Sequence, residues 1–158
     1  GFFLNDEMDD FTTQPGTPNM YGLIQGQANA IAPGKRMLSA MSPTIVLDPA
    51  GNLLLVTGAR GGPRIISATS QIILNVIDHR MSLADAMSAP RLHHQALPDS
   101  IRLEAGGFDP AVIARLRAMG HFVYELDSGI ASAASVIRVN GGYEGMDDPR
   151  SHGGAKGF

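Results

Sequence analysis

The residues able to do chemistry in this sequence fall in a few short stretches. Asn5-Asp6-Glu7-Met8-Asp9-Asp10-Phe11 packs four acids close together. Like charges at this spacing repel. The run therefore reads as a solvated turn, a cation site or a clamp for an ammonium group. The Ca²⁺-loop pattern, with its central Gly and distal Glu, is absent. Further on, Ser39 offers a hydroxyl beside Ala40, and Gly61-Gly62 precedes Pro63 and a helical pattern. Backbone N–H groups at a helix N-terminus favour negative charge, and glycines let a substrate come close to the backbone. The pair reads either as an anion or oxyanion site or as a tight turn into a helix. His93 and His94 invite a metal reading, but neighbours share neither a helix face nor a strand face. No second His or acid stands at ligand spacing, so no metal site is read there.

These residues need elements to position them. Thr44–Leu47 and Leu53–Thr57 flank Asp48-Pro49-Ala50-Gly51-Asn52, whose turn chemistry predicts a hairpin. Residues equally distant from the turn meet at its open end. The spacing thus predicts that Leu38-Ser39-Ala40 lies beside Gly61-Gly62. Pro63 suits a first helical turn, and Ile65, Ile66, Ile72, Ile73, Val76 and Ile77 recur at helical spacing to about His79. Ser82-Leu83-Ala84-Asp85 resembles a capping box, and Pro90 ends its helix. Ile101–Glu104 reads as a strand, and Asp109-Pro110 opens a helix that Gly120 closes. Phe108 and Ile113 are placed for a hydrophobic staple across that helix start. Phe122–Leu126 and Ala134–Val139 read as strands, with Asn140-Gly141-Gly142 turning toward Tyr143. Thr12–Pro33 has no lasting periodicity, and a loop of that length is a lid, a binding loop or disordered. Tyr21 within it either closes over a pocket or pins the loop. The sum predicts an α/β chain of the α+β type, built from hairpins rather than βαβ crossovers, with a largely antiparallel sheet under helical cover.

At 158 residues the chain is one domain, or a large part of one. Its 44% hydrophobic and 17% charged residues suit a globular protein, and its net charge of −3 argues against non-specific nucleic-acid binding. The absence of cysteine excludes disulfides and cysteine-ligated metals. No apolar run reaches the length of a membrane span, and no signal peptide is visible. Gly1 is no initiator, and Gly1-Phe2-Phe3-Leu4-Asn5 opens in a strand-like run, which suggests a fragment or a processing product.

Taken together, the acidic run, Pro33-Gly34-Lys35-Arg36-Met37-Leu38-Ser39-Ala40-Met41-Ser42-Pro43-Thr44, Gly58-Ala59-Arg60-Gly61-Gly62-Pro63-Arg64, Ala89-Pro90-Arg91-Leu92-His93-His94-Gln95 and Asp148-Pro149-Arg150 resemble the C-terminal small subunit of γ-glutamyltranspeptidases, also called glutathione hydrolases. The resemblance implies part of an N-terminal-nucleophile hydrolase αββα sandwich, with residues 1–158 as the small-subunit portion that lacks the start of the subunit. A large subunit from the same precursor is its partner, and no cofactor is needed. In that family a self-cleaved precursor exposes a threonine, activated by its own α-amine. That threonine and its strand would precede Gly1; Thr12 and Thr13 do not match it. The resemblance further implies that Glu7 and Asp10 hold the substrate α-ammonium and Ser39 its α-carboxylate. Gly61 and Gly62 would stabilise the oxyanion, and Pro15–Gly26 would form a lid gated by Tyr21. The implied reaction passes a γ-glutamyl group from a glutathione-like donor to water or an amino acid, in a periplasmic or secreted protein. Ala40 departs from the pattern by replacing a second serine, and Arg60 replaces a small or kinked residue. Ala40 keeps a glutaryl (cephalosporin) acylase in play, and an inactive fragment or binding module is a separate alternative.

Overall fold

The computed structural model describes residues 4–157. Most of the strand-like run expected at the start, Gly1-Phe2-Phe3, lies outside them. The chain divides into two compact units, residues 1–40 and 41–158.

The first unit has little regular structure. A 3-10 turn spans Glu7–Asp10 and a second spans Gln27–Asn29. An isolated bridge joins Thr12 to Ala30, and another joins Pro18 to Ile24. The long loop is therefore closed at its base and folded back on itself. Phe11 and Thr12 are its buried residues.

The second unit holds two sheets. The larger has the order β1-β2-β6-β7, with β1 at Thr44–Leu47, β2 at Leu53–Arg60, β6 at Ser132–Val139 and β7 at Gly142–Asp147, all antiparallel. The predicted turn closes β1 and β2 because Asp48 Oδ1 accepts from the N–H groups of Ala50 and Asn52, at 2.9 and 2.8 Å. Helix α1 (Arg64–Ile77) and helix α2 (Leu83–Ser88) cover one face. Leu55, Ile72, Leu83, Met87 and Ala133 form the core there. Each such side chain contributes about 1.5–3 kcal/mol on burial when it is Leu, Ile or Met. Within this core Thr57 and Ser135 share a hydrogen bond of 2.8 Å, which satisfies two hydroxyls out of reach of water. On the other side of the sheet Ile45, Val56, Val136 and Gly145 line up across the four strands, and Ile45 and Val136 are exposed.

The smaller sheet has the order β3-β4-β5: β3 is Leu92–His93, β4 Ile101–Glu104 and β5 Val123–Leu126. Helix α3 (Pro110–Ala118) lies between β4 and β5 in sequence, N-capped by Asp109, whose side chain accepts from Ala111 N–H at 2.8 Å. Phe108 packs on the cluster that contains Ile113, as the staple predicts. The largely antiparallel α+β class is borne out. The exclusion of βαβ crossovers is corrected, because β4 and β5 pair in parallel across α3. Short runs on either side of a helix carry no mark of whether they pair with each other or with other strands, and only the tertiary pairing decides it.

A second correction concerns register. The β1–β2 ladder starts at the pair Thr44–Thr57, directly after Pro43, which has no N–H to donate. Gly58, Ala59 and Arg60 pair with Ala134, Ala133 and Ser132 of β6 instead. The hairpin register therefore does not extend to Ser39, and the juxtaposition derived from it does not follow.

Candidate functional site

Of the residues singled out above, Glu7, Asp10, Tyr21, Ser39 and Ala40 lie in the first unit, and Gly61 and Gly62 in the second. Glu7 and Asp10 stand on one 3-10 turn, held by Asp9 N–H donating to Asp6 C=O at 2.9 Å. Burial pushes the Asp10 carboxyl above its ordinary value, and the negative charges of Glu7, Asp6 and Asp9 add to the effect. A bound cation would relieve that repulsion. Ser39 Oγ donates to Glu7 Oε1 at 2.8 Å, so residues far apart in sequence come into direct contact. Ala40 follows with no hydroxyl of its own. Tyr21 is half-buried, its backbone N–H donating to Asn19 Oδ1 at 3.0 Å. The acidic turn and the serine are thus brought together, and the glycine pair belongs to the other unit.

One residue that carries no mark in the sequence organises this unit. Asn29 Nδ2 donates to Asp10 C=O and to Gln25 Oε1, both at 2.7 Å, and its Oδ1 accepts from Leu38 N–H at 2.9 Å. An asparagine between two alanines in an aperiodic loop carries no signal of such a role.

In the second unit, Gly61 and Gly62 form the link between β2 and α1. Their carbonyls accept from Arg64 and Ile65 N–H, at 3.3 and 3.0 Å, and so start the helix. Gly61 has φ +134° and Gly62 φ +58°, values that favour glycine. A Cβ on Gly61 would lie 3.0 Å from Ala131 Cα. Both glycines are half-buried, with their N–H groups at the amino end of a helix of 14 residues. Arg60 ends β2, exposed and paired in register with Ser132.

The second unit also holds a buried charge network assembled from the stretches Arg91–Gln95 and Asp148–Arg150. Arg91, 2% exposed, meets Asp148 at 2.7 Å and donates to the carbonyls of Ile130 and Met87, at 3.2 and 3.1 Å. Arg150 bridges Asp148 at 3.1 Å and Glu104 at 2.5 Å. Its stem crosses Gly129, where a Cβ would lie 2.8 Å from Arg150 Cδ. Burial pushes Asp148 up. The N–H groups of Arg150 and Ala133, with the Arg91 guanidinium, outweigh that and hold it below its ordinary value. Glu104 is likewise held low, because hydrogen bonds from Arg150, Ile130 and Arg91 outweigh its burial. Burial pulls Arg91 down, with Asp148 opposing, yet an arginine stays protonated at any ordinary pH.

The paired histidines are occupied by protein partners. His93 is buried, with Nδ1 at 2.8 Å from Ser67 Oγ and Nε2 at 2.7 Å from Gln95 Oε1. Burial lowers its pKa, which favours the neutral imidazole. His94 meets Asp99 at 3.0 Å. Among the described residues no helix is long and apolar enough to cross a membrane.

Comparison with known proteins places this geometry in context. The family model for gamma-glutamyltranspeptidase matches residues 1–158. The glutathione hydrolase proenzyme of Escherichia coli is 46% identical over 151 residues, covering 96% of this chain and 26% of that protein. The corresponding proenzyme of a Pseudomonas species is 53% identical over 120 residues, covering 76% of this chain and 21% of its own length. The crystal structure of a Helicobacter pylori γ-glutamyltranspeptidase mutant superposes with a TM-score of 0.85 at 44% identity, covering 96% of this chain and 82% of that one. The chain thus spans about a quarter of the length of the curated relatives it matches. A family match over every residue, relatives above 40% identity and a shared fold lead to one conclusion: this chain belongs to the γ-glutamyltranspeptidase family.

Proposed function

We propose that the protein carrying this chain transfers γ-glutamyl groups from glutathione-like donors to water or to amino acids, and that residues 1–158 are its small-subunit portion. The observation that carries this reading is the contact between Ser39 and Glu7. An α-amino acid bears its ammonium and carboxylate on one carbon, so residues that recognise the two groups must be neighbours. An acidic turn joined to a serine hydroxyl meets that requirement. Glu7 and Asp10 hold the ammonium by charge, and Ser39 donates to the carboxylate.

At the acyl carbon, attack by the nucleophile places negative charge on the former carbonyl oxygen. Gly61 and Gly62 contribute N–H groups to that oxyanion, aided by the dipole of α1. The nucleophile is assigned to no residue of this chain; the family pattern places it on a threonine ahead of Gly1. Collapse of the tetrahedral species expels the leaving amine and gives an acyl-enzyme, which water or an amino acid then resolves. The large subunit of the same precursor is the proposed partner, a reading supported by relatives that are proenzymes and by the exposed apolar residues Ile45 and Val136. Tyr21 and residues 15–26 act as the lid. The acylase alternative is not favoured, because the relatives matched are glutathione hydrolases and γ-glutamyltranspeptidases.

The test is turnover by the full-length protein of γ-glutamyl-p-nitroanilide, of glutathione and of glutaryl-p-nitroanilide. Release of p-nitroaniline from the first and of glutamate from the second is expected. Turnover of the glutaryl compound alone would overturn the assignment.

A further inference from the structure

Asn29 ties its side-chain amide to three partners. Two N–H donations go to Asp10 C=O and Gln25 Oε1, and one acceptance comes from Leu38 N–H. Its backbone is fixed as well: its C=O accepts from Thr12 N–H at 2.9 Å, and its N–H donates to Gly26 C=O at 3.1 Å. On either side, Lys35 Nζ donates to the carbonyls of Ala28 and Ala30, at 2.6 and 2.8 Å. A planar amide held at this many points has no rotamer freedom left, so the distance between what it grips at each end is set.

What it grips are the backbones of the two recognition elements. One end holds the carbonyl of Asp10. The other holds the N–H of Leu38, the residue immediately before Ser39. No covalent or ladder connection joins these segments directly. Ser39 Oγ also reaches Glu7 Oε1, a second tie between the acidic turn and the serine segment. A substrate carboxylate bound at Ser39 competes for that same hydroxyl. With the substrate in place, the Asn29 amide is the fixed strut.

We infer that Asn29 is a positioning residue that sets the separation between the Asp10 carboxylate and the Ser39 hydroxyl, and thereby the affinity for the α-amino-acid head of the donor. The inference rests on the reading that these two residues hold that head.

Asn29→Asp tests it. The variant keeps the volume and the oxygen that accepts from Leu38 N–H. It replaces the donor to Asp10 C=O with a second oxygen, which repels that carbonyl and moves the acidic turn. Two ligands report the outcome by calorimetry on the full-length protein. L-glutamate needs both ends of the clamp, whereas glutarate lacks the ammonium. L-glutamate affinity should fall about tenfold, the usual scale for a misplaced charged hydrogen bond. Glutarate affinity should change less than about twofold. For γ-glutamyl-p-nitroanilide, KM should rise in parallel with the L-glutamate loss while kcat stays within about threefold, since the reacting carbon is untouched. Asn29→Ser, which cuts both links without adding charge, must shift the ratio of the two affinities in the same direction. Unchanged L-glutamate binding overturns the inference. Equal losses for both ligands, or a loss confined to kcat, overturn it as well, because a merely structural asparagine would behave so. Failure of the wider reading looks different. A parent that binds L-glutamate but does not turn over the anilide sinks the reaction and leaves the Asn29 comparison readable. A parent that does not bind L-glutamate overturns both.

Discussion

Replacing Asp148 with Asn isolates the charge that holds the second unit together. Asp148 is 1% exposed and Arg91 2%, so neither can turn to water when its partner is lost. Asparagine keeps the volume and an acceptor oxygen for Ala133 N–H, which Asp148 Oδ2 binds at 2.8 Å. It removes the negative charge from between two guanidinium groups. Arg91 is left with the neutral carbonyls of Met87 and Ile130, and with Arg150 as an unscreened neighbour. Losing one partner of a buried ion pair costs about 3–5 kcal/mol. Glu104 still attracts Arg91, which places the expected loss near the lower end, about 3 kcal/mol. Whole-domain stabilities are about 5–15 kcal/mol, so this is a large share. At about 2–4 °C per kcal/mol for a cooperative unit of this size, the midpoint of the transition in which this unit melts should fall by about 6–12 °C. Scanning calorimetry of the full-length protein at one fixed scan rate reads it, with Glu125→Gln as the control. That residue belongs to an exposed bridge, 3.7 Å from Arg117, worth about 0–1 kcal/mol. A shift for Asp148→Asn no larger than the control's would refute the reasoning, since it would mean that Arg91 is compensated without its carboxylate.

Gly61→Ala forces a Cβ toward Ala131 at φ +134° and so displaces the amide; kcat in the full-length protein should drop by about 10²–10³-fold, and near-normal kcat would remove this amide from the mechanism. Ala40→Ser restores a hydroxyl, and KM for γ-glutamyl-p-nitroanilide should fall, while an unchanged KM would show that the position does not face the carboxylate. The Asp10 carboxyl titrates above its ordinary range, so KM for donors with a free α-amino group should rise as pH is lowered through that raised pKa; donors lacking the group should show no such rise in steady-state assays. His93 has a folded-state pKa below its ordinary value, so the unfolded chain binds the proton more readily. Its contribution is complete above about pH 6.5 and is lost as pH falls from there through the folded pKa, so His93→Gln should flatten the melting temperature over that interval.

The legible parts of the fold were those whose causes are local. Asp48 and Gly51 announce the β1–β2 turn, Ser82 and Asp109 cap their helices through their own side chains, and Ile65 and Ile72 repeat on the buried face of α1. The parallel pairing of β4 with β5 was not legible, because nothing in four residues of strand names the partner. The same limit hid the network of Arg91, Glu104, Asp148 and Arg150. Each charge is ordinary where it stands in the chain, and burial alone gives it meaning. In the candidate site, the acidic turn and the glycine pair were visible as residue types. The Ser39–Glu7 contact needed the fold, and the hairpin register predicted a different neighbour for Ser39. Asn29 lay beyond reach altogether, since its role consists of contacts with Asp10, Gln25 and Leu38 and of nothing in its own flanks.

That Asp148 follows Arg91 by a long stretch of chain has a consequence for how this protein is made. Synthesis runs from the N-terminus, so α2, Arg91 and β4 leave the ribosome well before the carboxylate that neutralises Arg91. Until then the guanidinium must stay hydrated, and the cavity that later receives it cannot close. Leu83 and Met87 share that region with the ion pair, so their burial has to wait too. A released chain that stops after β7 should therefore remain open to protease around Arg91. One extended by only the few residues through Arg150 should become resistant in a single step, which makes Asp148-Pro149-Arg150 the latch that commits the unit to its fold.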